Sequence, residues 1–185
     1  MPDGLIIVFF VAFFGLVIAF GVYGYKQNQK RLAALREWAT SRQFTFDEAH
    51  DSTFDDRFAE FECFREGKRR YAYNIFEGSY RDFPTTAFEY HYETYSKDKD
   101  GKQQTHHHYF SAVVIETGLP LKPLWIRPEN IFEAPRLSIE LQSGRVLARG
   151  DGCFDAAGYQ GALDTAVGLI ELLPDSVRRE MHDER

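Results

Sequence analysis

TTAFEYHYETYSKDKDGKQQTHHHYFSAVVIET, residues 85–117, decides how this chain folds. Its two outer parts are rich in aromatic and β-branched residues and alternate in character, as strands do. Between them, SKDKDGKQQ is polar and contains Gly101, which marks a turn or loop. The stretch therefore predicts an antiparallel hairpin.

Working outward, the β signal continues on both sides. QFTFDE (43–48) alternates like a short strand, and CFREGKRRYAYNIFEG (63–78) reads as two strands turning at residues 66–68. In LPLKPLWIRPENIF (119–132) three prolines limit LWIR to a short or edge strand, and RLSIELQSGRVLARG (136–150) predicts a hairpin turning at residues 143–144. Phe54, Phe58 and Phe61 predict a short helix capped by Asp51 or Ser52, with Asp55 and Asp56 as partners of its dipole rather than catalysts. A second helix is expected over residues 156–173, where Leu163, Val167, Ile170 and Leu173 share a face beside Ala166. Gly158, Gly161 and Gly168 weaken it intrinsically, so it must pack on the sheet to persist; Pro174 ends it.

Residues 5–25, LIIVFFVAFFGLVIAFGVYGY, carry no charge. As a helix these 21 residues reach about 32 Å, against about 30 Å for a bilayer's hydrocarbon core. A cleaved signal peptide would need a basic start, a shorter apolar core and small residues at its end. Here MPDG precedes the run and Tyr23 and Tyr25 close it, as suits a membrane interface. Lys26, Lys30, Arg31, Arg36 and Arg42 follow, so the positive-inside rule places residues 26–185 in the cytoplasm. A juxtamembrane helix over residues 26–42 is expected, with Leu32, Leu35, Trp38 and Ala39 at helical spacing. The expected class is α+β: a transmembrane anchor (1–25), the juxtamembrane helix (26–42), and an antiparallel sheet domain (43–185) covered by its C-terminal helix. Strands followed by a helix, without βαβ alternation, argue against a doubly wound nucleotide-binding fold.

Composition narrows the partners. Lys and Arg number 22 against 28 Asp and Glu, a net charge of −6, which weighs against nucleic acid. The expected partners are the lipid bilayer and an unidentified protein. Gly15 and Ala19 form a small-xxx-small pair that admits homo-oligomers. Cys63 and Cys153, far apart and outside any CxxC arrangement, read as two buried thiols in a reducing compartment. A disulfide between them would fit only the opposite orientation. No phosphate-binding glycine motif or nucleophile elbow occurs.

In NIFEGSYRDFPTTAFEYHY (74–92), an Asn and two apolar residues precede a Gly and then an F-[DE]-Y-x-Y strand. This pattern resembles bacterial membrane-anchored proteins of unknown function that join an N-terminal membrane helix to a small β-rich domain. The resemblance covers about residues 54–130. It implies a sheet domain near a membrane, in bacteria the inner membrane, and supplies neither a reaction nor binding residues.

Four of the six histidines fall in the hairpin. With Tyr92 opposite Tyr109, alternation places His91, Glu93, His106 and His108 on one face. Imidazoles and a carboxylate of that kind suit Zn²⁺, and a metal-dependent hydrolase on the His91/His106/His108 face, with Glu93 or Glu89 as base, is the alternative reading. Same-face neighbours on a strand stand about 7 Å apart, and a one-residue slip swaps the faces. The preferred reading is therefore cross-strand pairing on a solvated face, with no catalytic residue, cofactor or metal ligand assigned. DKDG lacks the terminal Glu of a calcium loop. The function expected is a membrane-anchored interaction or scaffold module without enzymatic activity.

Overall fold

The computed structural model describes residues 3–126, 137–142 and 144–174. The chain divides into two units, Met1–Trp38 and Ala39–Arg185.

The first unit is helical. Helix α1 runs over Asp3–Ser41 without a break, so the predicted anchor and juxtamembrane helix form one element. Phe10, Phe13, Phe14, Ile18 and Phe20 are all exposed. In its later turns Leu32, Leu35 and Trp38 are buried, on the face their spacing predicts.

The second unit is a seven-stranded sheet with α2, Ala156–Glu171. The strands are β1 (Thr45–Asp47), β2 (Lys68–Tyr80), β3 (Phe83–Lys97), β4 (Gln103–Glu116), β5 (Leu124–Ile126), β6 (Leu137–Gln142) and β7 (Arg145–Asp151). Their order is β1-β2-β3-β4-β7-β6-β5 and every pairing is antiparallel. The fold is α+β. As the prolines around it require, β5 is a three-residue edge strand.

Each face of the sheet has its own cover. On one face Phe88 and Tyr90 of β3, Phe110, Ala112 and Val114 of β4, and Leu147 of β7 meet Phe54, Phe58, Phe61 and Phe64. On the other, α2 packs on β4 and β7 through a buried face that includes Tyr159, Leu163, Val167 and Ile170. Asp155 caps α2 by accepting the Gly158 N–H at 2.7 Å.

Two local expectations change. The 54–64 segment is two 3-10 turns, Phe54–Phe58 and Glu62–Phe64, rather than one short helix. Phe58, Phe61 and Phe64 recur every third residue, the period of a 3-10 helix, and all three are buried. Asp51 does not cap the first turn; it accepts the N–H and hydroxyl of Thr53, both at 2.8 Å. Residues 63–78 do not make two strands either. Cys63 and Phe64 lie in the second turn, and the chain enters β2 at Gly67 (φ +66°), where an added Cβ would sit 2.5 Å from the Glu93 main-chain oxygen. Only glycine fits so close an approach in that conformation.

β2 carries two bulges against β3. Arg69 and Arg70 stand opposite Tyr92, and Asn74 and Ile75 opposite Phe88; Arg69 and Asn74 both have φ +49°. Each bulge shifts the face alternation of β2 by one residue and bends the strand, the second undoing the shift of the first. Tyr71 and Tyr73 therefore join the α2 face of the sheet beside His91 and Glu89.

Candidate functional site

The hairpin register fixes which histidines meet. Lys97 pairs with Gln103, leaving a five-residue loop over 98–102. Asp98 N–H donates to the Lys102 carbonyl at 3.0 Å, and Gly101 takes φ +78°. Tyr92 consequently faces His108, not Tyr109, and Glu93 faces His107. This one-residue difference overturns the expected His91/His106/His108 grouping, because it carries every β4 side chain to the other face.

His106 and His108 lie on the aromatic side, each on a hydroxyl. His106 Nε2 is 2.7 Å from Ser96 Oγ, and His108 Nε2 is 2.8 Å from Thr94 Oγ1. The Tyr92 ring stacks on His108 with centroids 4.7 Å apart, and its hydroxyl donates to Glu66 at 2.9 Å. These two histidines are cross-strand partners in the structural sense.

On the α2 face, His107 takes the place expected for His106 and His108. His91 Nε2 and His107 Nδ1 share a hydrogen bond of 3.1 Å, and His107 Nδ1 is 3.6 Å from Glu93 Oε1. One donor atom from each of the three residues lies within 4.8 Å of the others. The face is not solvated as expected: His91 is 3% exposed and Glu93 5%, and only the His107 side chain, 51% exposed, reaches water.

The surroundings explain how these side chains are held. The His91 ring lies between its cross-strand neighbours Tyr71, at 4.7 Å, and Tyr109, at 4.8 Å, and His50 stacks on Tyr71 at 4.4 Å. Tyr95 donates its hydroxyl to Glu93 Oε2 at 2.6 Å, and Arg69 Nη1 stands 3.7 Å from the same oxygen. Glu93 Oε1 is left turned toward His107. Deeper on this face, Tyr73 contacts Cys153 Sγ at 3.5 Å and pairs across the strands with the buried Glu89.

Electrostatics sort the three groups. Burial is the main force on His91 and holds its pKa below the usual histidine value, helped by His107 and His108 and opposed by the Arg69 main chain and Glu93. His91 is thus a neutral imidazole at pH 7, with a lone pair to offer. Glu93 is held below the usual carboxylate range, first by the Tyr95 hydroxyl, then by Arg69 and the two histidines, against its desolvation. It remains a carboxylate. The same arrangement raises the Tyr95 phenol, first through its bond to Glu93.

The sequence reading named His91 and Glu93 and missed their partner His107, the aromatic wall of Tyr71 and Tyr109, and the Tyr95 hydroxyl. The signal for Tyr95 was present, since it follows Glu93 by two and shares its face. No such signal marked His107, whose face depends on the length of the loop. Of the two cysteines expected to be buried, Cys63 is and Cys153 is not. Cys63 is buried in the aromatic layer, whereas Cys153 is exposed beside Tyr73 on the opposite face, and the two are not joined by a disulfide. No family model, curated protein or solved structure matches this chain.

Proposed function

We propose that this protein is a single-pass, membrane-anchored interaction module whose sheet domain stands on the cytoplasmic side. The observation that carries this reading is the uncharged run within α1. The helix is long and apolar enough to cross a membrane, and no residue of its apolar window is buried. In water that surface is strongly unfavourable, and a bilayer is the solvent that suits it. The Lys and Arg residues after the run support the cytoplasmic placement of the domain.

The interaction role draws support from the sheet edge. Leu124, Trp125 and Ile126 of β5 are all exposed, and an edge strand offers main-chain groups to a partner. Tethering would confine such contacts to the membrane plane and raise their effective concentration.

The test is fractionation of cells expressing the full chain. It should stay in the membrane pellet through alkaline carbonate and leave it only with detergent. A reporter fused after Arg185 should behave as cytoplasmic. Recovery in the soluble fraction without detergent would end the anchor reading, and a periplasmic reporter signal would reverse the topology.

A further inference from the structure

We propose that His91, Glu93 and His107 form a binding site for a divalent transition-metal ion of the Zn²⁺ class, with His91 Nε2, His107 Nδ1 and Glu93 Oε1 as ligands. This inference concerns the sheet alone and does not depend on how the chain meets the membrane.

The spacing of the donor atoms is the first argument. Metal–ligand distances of about 2.0–2.2 Å place neighbouring corners of a tetrahedron roughly 3.3–3.6 Å apart. The observed separations are 3.1 Å between the imidazole nitrogens and 3.6 Å between His107 and the carboxylate. A regular sheet face spreads such groups too far for this. Here the directly opposed pair Glu93–His107 supplies two ligands, and the β2 bulge at Arg69 and Arg70 sits where β3 must bring in the third.

Chemistry is the second argument. Two imidazoles and one carboxylate suit Zn²⁺, Co²⁺ or Ni²⁺; Ca²⁺ would require six to eight oxygen ligands.

Support around the ligands is the third. Tyr95 holds the outer oxygen of Glu93 and leaves the inner one toward His107, which is how outer-shell partners orient a ligating carboxylate. Tyr71 and Tyr109 flank the His91 ring and fix its plane. Binding through Nε2 leaves the His91 proton on Nδ1. That buried atom has no hydrogen-bond partner among the described residues. The half-exposed His107 gives the ion its way in and leaves one position open to water.

The experiment uses the full chain in detergent, free of any histidine tag and stripped with a chelator. Titration with ZnCl₂ alone, read by calorimetry, should give stoichiometric binding, and Co²⁺ should show the intense visible bands of a four-coordinate site. His107→Gln and Glu93→Gln should each weaken binding by at least about tenfold, because each removes a ligand. Tyr95→Phe, a change to a positioning residue, should weaken it by a smaller factor. The double change His106→Gln with His108→Gln should leave it unaltered, since those rings face the other way. Near-UV circular dichroism reports whether each variant keeps its fold, and His107, being half exposed, tolerates substitution best. Absence of stoichiometric Zn²⁺ in the folded wild type would overturn the proposal, as would an equal loss in the His106/His108 variant. Retention in the membrane pellet, scored separately, distinguishes this outcome from failure of the anchor.

Discussion

Replacing Phe64 by Ala tests the aromatic layer that closes one face of the sheet. Phe64 is 1% exposed and meets six other rings: Phe54, Phe58, Phe61, Phe88, Tyr90 and Phe110, with centroids 5.0–6.5 Å away. The Tyr90 contact is edge-to-face, the favoured geometry for an aromatic pair. Truncation removes the ring from the centre of this cluster, and six large side chains cannot all collapse into the space. Large-to-small changes of this kind cost about 3–5 kcal/mol. A typical domain is stable by only about 5–15 kcal/mol, so the loss is a large share of the total. At about 2–4 °C per kcal/mol for a domain of this size, Tm should fall by on the order of 10 °C. The assay is thermal unfolding of the full chain in detergent, followed by near-UV circular dichroism, which reads the packing of aromatic rings. Phe14→Ala, at a residue 59% exposed on α1, is the control and should leave Tm unchanged. If Phe64→Ala lowered Tm by less than about 3 °C, or no more than the control did, residues 54–64 would not be the cover of this face.

Two further outcomes follow from individual groups. Burial pushes the Cys63 thiol up to about 12, whereas Cys153 is exposed. At pH 8 a thiol reagent should therefore modify Cys153 alone in the folded protein and reach Cys63 only after denaturation; two rapid equivalents in the native state would contradict the packing. On the opposite side, Tyr80 donates to Asp164 at 2.6 Å, and this bond is the main reason the carboxyl is held below its ordinary value, with Gln160 and Arg81 assisting. A depressed folded pKa contributes stability above the unfolded value and loses it as pH falls through the folded one. The Asp164 side chain is 47% exposed, so Tyr80→Phe should cost only about 0.5–1 kcal/mol near neutrality, after allowance for solvent screening. That difference from wild type should shrink below about pH 4, and a constant difference down to pH 2.5 would refute the linkage.

The candidate site was half legible in the sequence. Alternation is a local property, so Glu89, His91, Glu93 and Tyr95 could be placed on one face of β3 from their spacing alone. The partner strand could not be placed in the same way. Its register depends on how many residues the loop takes up, and SKDKDGKQQ admits both parities. Five loop residues put His107 beside Glu93 and send His106 and His108 to Thr94 and Ser96. The bulges of β2 were equally hidden, since Arg69 gives no sign of a positive φ and Asn74, which tolerates one, does not by itself mark a bulge. Without them Tyr71 would not lie beside His91.

By itself the sequence determined the uncharged apolar run of α1, a run of strands ending near residue 150, the short edge character of β5 and the buried face of α2. Each rests on composition or periodicity within a short window, where neighbours along the chain are enough. Tertiary structure alone decided three things: that residues 54–64 turn as 3-10 segments onto the Phe88 face, that α2 takes the opposite face, and that His107 is the histidine meeting His91 and Glu93. The reason is physical. Which face a side chain joins depends on pairing across strands far apart in sequence, and a single residue of shift reverses the result.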